Sequence, residues 1–173
     1  IERAMLLYQI PLCKDLQPYK HHVYRMYNYA AWYINYDEAE LGKLAIAAAF
    51  HDIGIWTHST FDYLGPSEQT AMQYLKRFEL PEVWNMEVAL ILERHHQLQK
   101  YEGLYRKNVE AFRKADLADL TKGLVRGKLP FAAIEQAVEA FPYLGFHGLL
   151  VKLTFLELLQ NPFNPLPMVR WRK

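Results

Sequence analysis

His22, the doublet His51-Asp52, the pair His95-His96 and Asp116 are the residues of this chain whose types could do chemistry together. Neutral imidazole is a borderline nitrogen donor, and carboxylate is an oxygen donor that also offsets cationic charge. Two of each, His22, His51, Asp52 and Asp116, make a mixed site for a first-row divalent ion such as Mn, Fe, Ni, Co or Zn. Four protein ligands on an octahedral ion leave positions for water and a substrate.

Helix phase is what singles these residues out. With Leu41 at 0° and about 100° per residue, Leu44, Ala45, Ala48 and Ala49 fall on one face, and Asp52 lands near its middle with His51 at its edge. An unpaired carboxylate there costs several kcal/mol, so it must be paired, protonated or metal-bound. Asp116 repeats the anomaly among Val109, Phe112, Leu117 and Leu120, whereas Asp119 falls nearer the edge and is expected to matter less. His22 borders the stripe Tyr19, Val23, Met26, Ala30 and Tyr33, with His21 turned to the polar side. His95 sits among Trp84, Val88, Ile91 and Leu98, with His96 about 100° away. A lone inward histidine is usually a satisfied core residue. Two aspartates buried on separate helices, with imidazoles beside them, are hard to explain without a cation.

These residues, in this order, resemble the HD superfamily of metal-dependent phosphohydrolases. The first element reads His22-Val-Tyr-Arg25-Met, similar to the family's H-x-x-R-V. The second reads Ala48-Ala-Phe-His51-Asp52-Ile-Gly54, and the third Lys114-Ala-Asp116-Leu. The resemblance spans Tyr19 to Leu120 and implies hydrolysis of a phosphate mono- or diester, such as a nucleotide, by a metal-activated water. Asp52 and His95 are then candidates for catalysis together with Arg25. Arg94, His96, His58 and Tyr63 are candidates for binding a small phosphorylated substrate, under a roof formed by the aromatic stretch Trp56 to Tyr63. Relatives with two ions add a histidine before the next helix, where this chain has Pro66-Ser67-Glu68-Gln69, so one ion is expected rather than two, with Glu68 or His58 as substitute ligands. The same superfamily holds di-iron oxygenases and hydratases or lyases. A metal-stabilised binding module is the non-enzymatic alternative.

The elements that must position these groups read as helices almost throughout. Helices are predicted over 2–10, ending at Pro11, over 16–36, and from an Asp37–Glu40 capping box to Gly54. An ordered loop is expected over 55–66, then helices from Ser67 as cap to Phe78, from Pro81 to Lys100, and over 104–121, 131–140 and 143–160. The expected fold is all-α, a compact bundle of the HD type with roughly seven to eight helices. It forms a single domain over 1–173, with the motif core at about 19–120 and a helical extension over 130–173. The basic end Arg170-Trp171-Arg172-Lys173 is read as a surface strap.

Composition bounds the rest. A chain of 173 residues with 51% hydrophobic and 14% aromatic residues can bury a real core. A formal charge of +1 offers no broad field for a nucleic-acid polymer or an anionic membrane. The apolar run Leu44 to Phe50 is far shorter than a membrane span of about 20 residues. One cysteine, Cys13, permits no internal disulfide and points to a reducing, cytoplasmic setting. A homo-oligomer remains open.

Overall fold

A computed structural model describes residues 1–169, so the basic strap expected at 170–173 lies outside the described residues. The described chain is all-helical, without a strand. Its helices are α1 (Glu2–Leu7), α2 (Gln9–Leu12), α3 (Leu16–Tyr33), α4 (Glu38–Phe50), α5 (Gly54–Thr57), α6 (Leu64–Arg77), α7 (Trp84–Arg94), α8 (Arg106–Leu120), α9 (Phe131–Ala140) and α10 (Phe146–Gln160), with a 3-10 turn at Cys13–Asp15. No helix among them is long and apolar enough to cross a membrane.

The spine is α3, which buries Tyr19, Val23, Met26 and Ala30 at helical spacing and packs on α8, α4 and α9. It ends at Tyr33 rather than at Tyr36. Asn35 and Tyr36 turn into the left-handed region at φ 57° and 54°, and the Tyr36 amide donates back to the Ala31 carbonyl at 2.8 Å. Asp37 caps α4 as expected, its side chain accepting from the Ala39 amide at 3.2 Å. The reciprocal half of the box is absent, since Glu40 instead engages Lys43 and Asn108.

Small residues let α4 sit deep. Ala47, Ala48 and Ala49 are fully buried. A β-carbon at Gly42 would come within 2.6 Å of the Trp84 ring, so glycine is what lets α7 close on α4. At the far end of these helices Glu87 joins them, accepting from Lys43 and from Asn108 at 2.6 Å each.

Other boundaries differ too: the first helix breaks into α1 and α2, with α2 running through Pro11, α7 begins at Trp84 rather than Pro81, and α10 at Phe146 rather than at 143. The stretch after Asp52 is not a plain loop, because α5 forms at Gly54 and α6 already begins at Leu64. Ser67 is therefore inside α6 rather than at its cap, and its hydroxyl accepts from the Gly54 amide at 2.9 Å. The helix expected to reach Lys100 stops at Arg94, which puts His95 and His96 in a turn and leaves Leu98 56% exposed instead of on the inner face.

Candidate metal centre

Four segments converge on one buried pocket. The middle of α3 brings His22 and Arg25, and the end of α4 brings His51 and Asp52. The turn after α7 brings His95 and His96, and the last turns of α8 bring Asp116 and Asp119. All are buried except His96, which is partly so.

The proton on each ring can be assigned from its outer partner. Nδ1 of His51 lies 2.9 Å from the Ala48 carbonyl, which can only accept, so that nitrogen carries the hydrogen. Nδ1 of His95 is fixed likewise on the Leu92 carbonyl at 2.7 Å. Nδ1 of His22 meets Oδ2 of Asp119 at 2.7 Å. Asp119 is gripped by Arg25, whose Nε and Nη2 reach its two oxygens at 2.6 and 2.8 Å. Burial alone would raise the Asp119 carboxyl, but His22 and Arg25 outweigh it and hold the group down at about 2. It is an anion that accepts from His22 Nδ1.

In the neutral ring each of these three Nε2 atoms is thus a lone pair, and all three point inward. His22 Nε2 and His51 Nε2 face each other at 3.0 Å. Asp52 Oδ2 lies 3.2 Å from His51 Nε2 and 3.9 Å from His22 Nε2, while Asp116 Oδ1 lies 3.8 Å from His22 Nε2. His95 Nε2 stands 3.5 Å from Asp52 Oδ1. Asp52 Oδ1, Asp116 Oδ1 and His95 Nε2 are all buried without a hydrogen-bond partner. A cage of acceptors aimed at acceptors is repulsive by itself, and a cation at its centre resolves it. Hence His22, His51 and Asp52 could hold one ion, with Asp116 beside them. Asp52, His95 and His96 form a second such group sharing Asp52.

The protonation balance agrees. Burial lowers the His22 imidazole against the pull of Asp119, so the ring stays neutral. His96 is pushed well below its ordinary range by burial and by His95. Of the central carboxylates, Asp52 lies well below the carboxylate range against the pull of burial, through His51 and His95. These act on it when their Nε2 atoms carry hydrogen, and a bound cation would take the place of that hydrogen. Burial, with repulsion from Asp52 and Asp119, raises Asp116 to about 8 despite His95. One charge is therefore carried and the other suppressed while only protein surrounds them.

The remaining candidates divide. Tyr63 reaches the site, its hydroxyl 2.6 Å from His96 Nε2, and burial raises its own ionisation well above the ordinary value. His96, which helix phase turned outward, is brought in by the end of α7, with Nδ1 3.4 Å from Asp116 Oδ2. Arg25 does not face a substrate. It is fully buried, spends Nε and Nη2 on Asp119 and Nη1 on the Phe141 and Pro142 carbonyls, and lies over the Tyr143 ring. Arg94 is partly exposed and pairs with Glu93 at 3.2 Å, and His58 is exposed and bound to its neighbour Thr57 at 2.9 Å. Trp56 packs on Tyr19 and donates to Asp15 instead of roofing the cage.

Sequence reasoning missed the outer frame. Phe146 of α10 stacks on His22 at 4.2 Å between centroids, and His147 makes a 2.9 Å contact with the Asp119 carbonyl. The missed signal for Asp119 was the His22/Arg25 pair, three residues apart on one face, both asking for a carboxylate.

No curated protein and no solved structure matches the chain. The family model for the HD domain matches residues 19–123, the stretch that carries every histidine and aspartate of the cage, and the chain belongs to the HD-domain family.

Proposed function

We propose that this chain is a metal-dependent hydrolase of a phosphate mono- or diester, with its ion held by His22, His51, Asp52 and Asp116. The observation that carries the reading is the pair of imidazole lone pairs facing each other at 3.0 Å, each fixed from behind by a partner of its own. An ion bound there would polarise a phosphoryl oxygen and lower the pKa of a coordinated water. The protein's share is to hold the donors and to place groups around the reacting atoms. Asp52 has one oxygen toward His51 and the other, unpartnered, toward His95, so it can both ligate and orient a water. His96 borders the open side. His95, with its Nδ1 hydrogen held by the Leu92 carbonyl, can donate from Nε2 to a phosphoryl oxygen only as an imidazolium, in which form it would stabilise developing charge. Arg25 acts through Asp119, as a positioning residue for His22. The reading includes a cytoplasmic setting, supported by the single cysteine.

Sharing of Asp52 between two donor groups favours a second reading, in which two ions bind. The test is metal content of protein purified without chelator, followed by phosphate release from a panel of phosphate esters. One ion per chain with phosphate release is the expected result. Two ions per chain would establish the second reading. Metal without release from any ester would overturn the hydrolase assignment, and no metal would overturn the centre itself.

A further inference from the structure

Beside the cage lies a cavity of about 240 Å³ that touches Asp52 and His96 on its floor. Its walls are Phe61 from the segment before α6, Leu120 from α8, Leu150 from α10, and Leu166, Met168 and Val169 from the segment after α10. Among the described residues, no lysine or arginine lines it. The other described lining residues with polar side chains are Tyr63, its hydroxyl engaged with His96, and Thr154. Arg25, the fully buried cation of the frame, spends its nitrogens on Asp119 and on the Phe141 and Pro142 carbonyls.

From these walls we infer that the substrate is a phosphate ester of a small apolar alcohol, its aliphatic or aromatic group seated in this cavity. The inference rests on the phosphate-ester reading for the head group alone. At about 30 Å³ for each water-sized group, the cavity takes roughly eight non-hydrogen atoms. A nucleoside would set sugar hydroxyls and base edges against Phe61, Leu150, Leu166 and Met168, leaving those polar groups without partners. Orientation comes from the floor and discrimination from the walls, the usual division in a pocket that is mostly apolar with a few polar groups.

Calorimetric titration of the metal-loaded full chain with n-alkyl phosphonates, methyl to octyl, tests this, with n-alkyl hydroxamates as a second series. Hydroxamates chelate metal without a phosphoryl group. Affinity should rise about threefold to fourfold per methylene and level off at six to eight carbons in both series. Thr154→Trp should level the rise after two or three carbons without changing metal content or methylphosphonate affinity. Leu150→Ala, which widens the cavity, should move the plateau to longer chains. Methylphosphonate binding with no chain-length dependence overturns the apolar subsite and leaves the phosphate-ester reading intact. A chain-length rise with hydroxamates but no binding of any phosphonate overturns the phosphate-ester reading and upholds the subsite. Adenosine monophosphate binding more tightly than hexylphosphonate overturns the subsite.

Discussion

Oδ2 of Asp119 lies 2.7 Å from Nδ1 of His22, and this contact decides which nitrogen of the imidazole looks into the cage. Asp119 does not enter the cage. Arg25 fixes Asp119, Asp119 fixes His22, and all three are buried to within 1% of full burial.

Asp119→Ala is therefore expected to be severe, against the mild effect that helix phase alone implied. It strands Arg25 as an unpaired buried cation, at a cost of about 3–5 kcal/mol. Urea unfolding of the metal-free protein measures it. A loss under about 1 kcal/mol would show that the fork adds nothing to the fold.

The same carboxylate gives a pH dependence. Its folded value is about 2 against an ordinary 3.8, so folding favours the anion. The unfolded chain binds the proton first as pH falls, and the contribution is complete above pH 4. It disappears as pH drops from 4 to 2, and is worth about 2–3 kcal/mol. Unfolding curves of metal-free protein should lose stability through that window, and Asp119→Asn should lose less. Parallel curves for the two proteins would contradict the linkage.

His51→Ala, Asp52→Ala and His22→Ala should each abolish metal retention while circular dichroism stays helical. His21→Ala should retain the metal and cost under about 1 kcal/mol, because its ring lies outside the cage, against the Pro142 carbonyl at 3.0 Å and edge-on to Phe141. Full metal content in any of the first three would remove that residue from the ligand set.

The corner after the doublet is the most sequence-sensitive backbone. A β-carbon on Gly54 would lie 2.7 Å from the Tyr63 carbonyl and 3.0 Å from the Ser67 amide. Gly54→Ala should cost about 2 kcal/mol or more, since backbone must move. Ser67→Ala, which only orphans the Gly54 amide, should cost about 1–3 kcal/mol. Thermal melts of both variants decide it, and an unchanged Tm for Gly54→Ala would disprove the tight approach.

His95→Ala separates one ion from two. With one ion, metal content should stay near one per chain while phosphate release falls at least tenfold. With two, the variant should lose one of them. Metal analysis beside a phosphate-release assay distinguishes the outcomes.

Helix phase was enough for the cage itself, because Asp52 and Asp116 interrupt apolar faces within single helices. It was not enough where position depends on another element. Asp119 is drawn inward by Arg25 from α3, ninety-four residues away in sequence, which phase along α8 does not register. His96 and Leu98 exchanged places relative to expectation because α7 ends at Arg94, after which 100° per residue no longer applies. Ser67 looked like a cap in the right place, but its partner is an amide thirteen residues back.

The stacking of Phe146 on His22, with His147 against the Asp119 carbonyl, has a thermodynamic corollary. These two residues lie past residue 123, where the family match ends. An ion that prefers His22 in its stacked orientation favours the docked α10, and by reciprocity a docked α10 tightens the ion by the same factor. A chain cut just after residue 123 would keep each matched motif and lose that coupling, binding its ion more weakly with every ligand still in place.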